Sequence, residues 1–429
     1  MRVTHNNLTI ATSAPRFGLV LAAWTCVAVV LPVYRILPEP ARIAWFCATF
    51  GLMVLWLVLG RVARPLYPVI WILAGYGAVV ATVTATGRAS VPDNLFTGSQ
   101  LAILLGVGPF VLRWLVLNIP DFTRTVCIAF LIGQTCSSAA GIAQIMGTSV
   151  FGFATVQGRA PGLSAHPNVL GLLSCLALLV CVQALVHERQ PRILIGAAGA
   201  SAINIGGLLS TGSLSSLMAG AAGLLVTAIC LRDQIKHLSR IIVGTAIVSW
   251  VVLTYTDFAD NMRTPADRYL QVTGQTDAES TWEIRQRTYQ FAWDAIREDP
   301  LFGVGLPVKF GATFDGITLT HNFLLRSWFQ GGIALALLGS LIVLAVLIVA
   351  MKALRHKDNG LAAGVLVTVM AFALTSAFFE QPNYWLPALL AWAALRPWSK
   401  PESAPELVTG NNGAAPPGLI IAGTSTPSP

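Results

Sequence analysis

The chain is 429 residues long, 55% hydrophobic and only 11% charged, with a mean hydropathy of +0.69. A soluble domain carries about twice that charged fraction, so composition excludes an ordinary soluble globular protein. The net charge of +8 would suit nucleic acid, but in a chain this apolar the placement of Lys and Arg matters more than their total. No nucleic-acid partner is therefore expected, and the lipid bilayer is.

Repeated windows of about twenty apolar residues predict an all-α polytopic membrane protein with about twelve transmembrane helices. In chain order they lie near 17–34, 41–60, 66–86, 99–118, 122–146, 167–187, 192–209, 212–231, 238–256, 322–350, 360–379 and 383–396. The first follows Arg16 and lacks a small-residue cleavage site, so it reads as a retained span rather than a signal peptide. The fourth and the last are weakest, because Arg113 interrupts one and the other is short. All seven cysteines sit inside apolar runs, with no CxxC pair or Cys/His cluster. That pattern gives neither a disulfide framework nor a metal site, and the cysteines read as small hydrophobes.

The organisation expected is helices one to nine over 1–256, a large, partly helical outer loop over 257–320, helices ten to twelve over 321–398, and a tail over 399–429. The tail is rich in Pro, Gly, Ser and Thr and is too poor in apolar residues to build a core, so it reads as a disordered cytoplasmic end. With the N-terminus in the cytoplasm, sixteen Lys and Arg flank the inner ends of the spans, from Arg2 to Lys400. Only four, Arg35, Arg42, Arg88 and Arg159, fall in the short outer loops. This bias predicts that both termini are cytoplasmic and that the long loop is outside.

Polar stretches at the outer ends of the spans are the candidate sites. Residues 157–168, QGRAPGLSAHPN, form a tight connection in which Asn168 is a candidate helix cap. Arg159 there is either a solvated loop residue or aimed at an anion on the membrane surface. The turn Ser210-Thr211-Gly212-Ser213-Leu214-Ser215-Ser216 is rich in small hydroxyls, which chiefly serve close helix packing. In the long loop, Ser280-Thr281-Trp282-Glu283 has the form of a capping box, and Pro300 and Gly303 end the helix it opens. Trp282, Tyr289, Trp293 and Ile296 fall near one face of that helix, with Arg285 among them. Arg285 either snorkels and stacks on the aromatics or aims its planar fork at a phosphate. After Leu301-Phe302-Gly303-Val304-Gly305 comes Thr320-His321-Asn322, with His321 at the lip of span ten and Arg326 about one turn in. Glu380 ends span eleven. A His at a helix start is either a structural hydrogen-bonder or a functional group. The topology puts Arg159, His166, Arg285, His321, Arg326 and Glu380 on one side, and ionisable groups at span edges tend to be functional.

Arg285 with Tyr289, then Asp299-Pro300-Leu301-Phe302-Gly303-Val304-Gly305, His321-Asn322 and Gly331-Gly332, resembles the O-antigen ligase and polymerase family. Arg159-Ala160-Pro161-Gly162 and Pro167-Asn168-Val169-Leu170-Gly171 are similar to its earlier motif, and the layout of spans is similar too. One departure is Leu214, where members often carry an Arg in the Ser/Thr-rich turn. The resemblance implies an enzyme of the bacterial cytoplasmic (inner) membrane making cell-envelope polysaccharide, such as lipopolysaccharide or exopolysaccharide. It would transfer a glycan from an undecaprenyl-pyrophosphate-linked donor to a sugar hydroxyl of a glycan or glycolipid acceptor, with inversion and without cofactor or metal. His321 would be the general base and Arg285 would stabilise the departing pyrophosphate. Arg159, Arg326, Asn322, His166 and Glu380 would surround the substrates, with Asn322 and Arg326 orienting ring and donor. A ligase and a polymerase share these motifs. A metal-dependent glycosyltransferase would need acidic ligands in the first outer loop, where residues 35–42 offer only Glu39. A transporter would be expected to show broken helices or ionisable groups at mid-membrane, where Gln134, Gln144 and Asn204 are the main polar side chains.

Overall fold

The computed structural model describes residues 14–85, 90–234, 269–271, 275, 281–307, 313–315, 318–357, 359–377 and 381–398. Regular structure among them is helical, apart from three isolated bridges. The helices are α1 (Ala14–Val30), α2 (Glu39–Val58), α3 (Pro68–Thr84), α4 (Val91–Ala102), α5 (Gly108–Asn118), α6 (Phe122–Ile145) and α7 (Pro167–His187). They continue with α8 (Pro191–Ser210), α9 (Leu214–Cys230), α10 (Thr281–Glu298), α11 (Phe323–His356), α12 (Gly360–Ala373) and α13 (Pro382–Ala394). Among the described residues, six stretches are long and apolar enough to cross a membrane, with α4 and α5 counted as one, and five shorter apolar helices accompany them. These match eleven of the expected spans. The ninth, 238–256, lies outside the described residues, as do most of 257–280, Glu380 and the tail from 399.

Proline sets many of the starts. It occupies the first turn of α2, α3, α4, α7, α8 and α13, where its missing N–H costs nothing because no intrahelical acceptor exists there. Glycine and hydroxyl residues then let helices approach. A side chain at Gly223 of α9 would run into Thr368 of α12, and one at Gly364 into Thr227. Each helix thus fills the other's notch, the small-residue packing that membrane interiors favour.

The fourth span begins earlier than expected, at Val91, and is joined to α5 by a π-turn over Ile103–Val107. The Arg113 that weakened it in the sequence has a partner in the fold. Its Nη1 donates to the carbonyls of Ala393 (2.7 Å) and Leu395 (2.8 Å) at the end of α13. The arginine therefore satisfies carbonyls that the short last helix leaves open. All seven cysteines are free and lie within helices.

The tenth span also differs from expectation. Helix α11 runs on to His356 and is broken at Gly332, whose backbone (φ 68, ψ −171) is not helical. Beyond the break about 24 residues remain, or about 36 Å of helix, enough to cross about 30 Å of hydrocarbon. The part before the break, Phe323–Gly331, is left to build the candidate site.

Candidate functional site

The break in α11 is held open by the strap Leu301–Pro307. In an unbroken helix the carbonyls of Phe329 and Gln330 would accept from Ile333 and Ala334. Here they accept from the strap, Val304 N to Phe329 O at 2.9 Å and Gly305 N to Gln330 O at 3.0 Å. Ile333 N donates in turn to Leu301 O at 3.3 Å. The buried backbone groups are thereby paired, as they must be away from water. Two glycines make the crossing feasible. A Cβ on Gly303 would sit 2.6 Å from Gly332 N, and one on Gly332 would strike Leu301 O. Gly332→Ala should therefore cost about 1–3 kcal/mol from its backbone alone, with the clash in addition. Purified Gly332→Ala is expected to melt at a clearly lower temperature than wild type in the same detergent.

Two amides anchor the strap further. Gln330 Nε2 donates to Leu306 O (3.1 Å), while its Oε1 accepts from Arg326 Nε (2.6 Å). Leu306 N donates to Asn94 Oδ1 on α4 (2.9 Å), and Asn94 Nδ2 to Thr82 O on α3 (2.6 Å). One glutamine thus fixes both the buried Arg326 and the strap. Sequence reasoning missed Gln330; the signal was a second polar residue one turn after Arg326, the spacing at which helical side chains meet.

Helix α10 lies over this cradle, but not on its aromatic stripe. Trp282 and Trp293 are 49% and 38% exposed. The buried positions of α10 are Thr288, Ala292 and, from the stripe, Ile296, the last two packed with Phe329 of α11. Val304 of the strap and Leu325 of α11 close on the same cluster, while the indoles stay at the rim. Trp293 packs edge-on to Trp328 at 5.8 Å, with Arg297 over its ring. Arg285 lies one turn before Thr288 and Tyr289. Its Nη2 is 3.4 Å from Ser215 Oγ in the first turn of α9, and Tyr289 Oη donates to His321 O at 2.9 Å. These two bonds tie α10 to α9 and to the start of α11. The capping-box residue Ser280 lies outside the described residues, but the helix begins beside it at Thr281.

The loop before α7 joins the same region. Gln144 clasps Gly162 through both its amide groups at 2.9 Å, and Ser137 Oγ accepts from Leu163 N at 3.0 Å. Arg159 is buried, with Nε on Thr211 O (2.7 Å) and Nη2 on Asn168 Oδ1 (2.5 Å). The guanidinium thus ties the loop to the Ser/Thr-rich turn. In this fold His166 is the cap of α7, its Nδ1 accepting from Asn168 N (3.1 Å), and Asn168 is turned to Arg159. The expected Asn168 cap is corrected: Asn168 sits inside the first turn, where its own N–H is the one needing an acceptor. The turn that has Leu214 where an Arg was expected is flanked by Arg159 and Arg285 from two other segments. Ser213 caps α9 there, its Oγ accepting from Ser216 N.

Asn322 caps α11 through Oδ1, accepting from Leu325 N at 3.0 Å. It is engaged with its own helix rather than with the His321 ring. His321 is half-buried, and its Nδ1 is buried with no hydrogen-bond partner among the described residues. Loss of water around the ring, and then the charges of Arg285, Arg326 and His166, lower its pKa from 6.5 to about 4. His166, exposed on the lip, is lowered to about 4 as well, by desolvation first and then by Arg159 and Arg35. Both rings are neutral near pH 7. The fold therefore gathers His321, Arg285, Arg326 and His166, with Arg159 behind them, while Glu380 lies outside the described residues.

The arrangement is an electropositive mouth with hydroxyls from the start of α9, two arginines near a neutral imidazole, and an open ring nitrogen. Anions suit such a place, since helix N-termini and guanidinium groups both favour negative charge. A search of curated proteins finds no match to the chain. Residues 199–338, about a third of the chain, match the family model described as O-Antigen ligase, a stretch that holds Leu214, Arg285, His321, Asn322 and Arg326.

Proposed function

We propose that this mouth transfers a glycan from a lipid pyrophosphate, undecaprenyl pyrophosphate in a bacterium, to a sugar hydroxyl. The match of residues 199–338 to that family supports glycan transfer of the ligase or polymerase kind; the donor, the acceptor and the residue roles are our reading. One observation supports it most: His321 presents a buried nitrogen with no partner among the described residues, beside Arg285 and Arg326. An unpaired buried acceptor is costly, and an acceptor hydroxyl would supply the missing donor. That hydroxyl attacks the anomeric carbon, its proton passes to His321, and the bond to the pyrophosphate breaks with the electrons leaving on the phosphate oxygen. Arg285, at the hydroxyl-rich start of α9, faces the charge that grows on that oxygen. Arg326 and Arg159, both held by protein acceptors, add fixed positive potential. Displacement in one step inverts the anomeric centre.

The two arginines also regulate the base. Burial first, and then the uncompensated charges of Arg285, Arg326 and His166, hold His321 near pKa 4, where imidazole is a poor proton acceptor. A bound pyrophosphate offsets their charge, so the ring becomes more basic only when the donor is in place. The pH dependence separates the two states, because kcat/KM reports groups of the free enzyme and kcat those of the complex. The acid limb of kcat/KM is expected near pH 4 and that of kcat at higher pH. Coincident limbs would count against this coupling.

The membrane orientation belongs to the same proposal: both termini cytoplasmic, the site outside. In a chain freed of its seven cysteines, a cysteine placed at Asp277 should react with impermeant thiol reagents from the outer side alone. Reaction from the cytoplasmic side alone would overturn the orientation. Ligase and polymerase then part on products in cells lacking the protein. Unattached lipid-linked polymer would mark a lost ligase, and single unused repeat units a lost polymerase. Unchanged lipid-linked glycans would overturn the proposal.

A further inference from the structure

At the other end of the bundle a cavity of about 590 Å³ opens between α1, α5, α6, α7, α12 and α13. Its place follows from the helices that line it. Helix α7 runs 21 residues from the His166 end to His187, about 30 Å at 1.5 Å per residue. Helix α11 likewise leaves the His321 end and finishes at His356, one residue before Lys357. His187 and Lys357, both at the cavity mouth, therefore lie on the membrane face opposite the candidate site.

The walls are apolar, with Trp24, Phe122, Phe130, Leu176, Val365 and Leu390 among them. Trp24 and Phe122 pack edge to face at 6.3 Å. The polar groups are concentrated at the mouth: His187, Lys357, Arg396, Asn359 and Gln183. Lys357 is paired with Asp233, and Asn359 grips the backbone of Arg396 through both its amide groups (2.8 and 3.1 Å). Arg396 itself is exposed there. Among the described residues, no acidic side chain is in the lining.

An apolar hollow of this size is within the range of about 300–1,000 Å³ that encloses a small amphiphile. The basic rim selects the sign of its polar end, as basic pockets between membrane helices select anionic lipid headgroups. We infer that the cavity holds the acyl part of one anionic phospholipid from the leaflet opposite the candidate site, with its phosphate at Arg396 and Lys357. This site is independent of the transfer proposal, since none of the lining residues belongs to the mouth around His321.

Native mass spectrometry of the full chain, stripped of lipid in detergent and titrated with phosphatidylglycerol or with phosphatidylcholine of the same chains, tests this. One phosphatidylglycerol should be retained per chain in preference to phosphatidylcholine. Arg396→Gln, at an exposed position, should weaken phosphatidylglycerol about fivefold and leave phosphatidylcholine unchanged. Ala28→Trp, which puts an indole into the hollow, should abolish retention, and Val365→Phe provides a milder filling should that variant fail to fold. Equal retention of the two lipids, or retention unchanged by filling, would overturn the inference.

Discussion

His321→Ala is expected to reduce glycan transfer by a factor of about a hundred to ten thousand, the usual contribution of a positioned general base. The expectation rests on the ring's setting. Burial and two guanidinium groups keep it neutral, and its Nδ1 meets no protein partner among the described residues. The structural reading of this residue makes a different forecast. Among the described residues, the bond at His321 that ties segments together is the one its backbone carbonyl accepts from Tyr289, and alanine keeps that carbonyl. Removing the ring should thus leave membrane abundance and melting temperature near wild type while transfer collapses. Tyr289→Phe is the complement. It removes the tie between α10 and α11 and should lower stability more than His321→Ala does. Both variants need abundance and turnover measured in the same preparations. Near-normal turnover per folded molecule in His321→Ala would remove the residue from the mechanism.

Arg285→Ala should reduce transfer by about a hundred- to a thousand-fold, the cost of losing one donor to the charge that develops in the transition state. Arg285→Lys should recover only part of this. Lysine keeps the charge but not the planar fork that spans two phosphate oxygens. A second readout separates the role from one in folding. Without the Arg285 charge the imidazole is relieved of the first of the cations that lower it. The acid limb of kcat/KM should therefore move up in Arg285→Ala and stay low in Arg285→Lys. Among the described residues its hydrogen bond to α9 is the 3.4 Å approach to Ser215, too long to carry much stability. A variant that transfers glycan normally would return Arg285 to the role of a snorkelling rim residue.

The sequence by itself determined the membrane class and eleven of the apolar helices, because runs of about twenty apolar residues leave the backbone few other ways to pair its polar groups in lipid. It also placed His321 at the lip of a span and Arg285 on the helix before it, since both are matters of local spacing. It did not show which face of that helix is buried: Trp282 and Trp293 stay exposed, while Ala292 and Ile296 pack with Phe329. It likewise could not show that Asn322 caps α11, that His166 rather than Asn168 caps α7, or that Arg113 closes the end of α13. Each of these is a choice among hydrogen-bond partners, and in the last the partner lies some 280 residues away in the chain. The break at Gly332 was written as a Gly-Gly pair, but its meaning depended on the strap that fills it. Local pattern fixes which groups need a partner, and tertiary structure alone decides which partner comes within 3 Å.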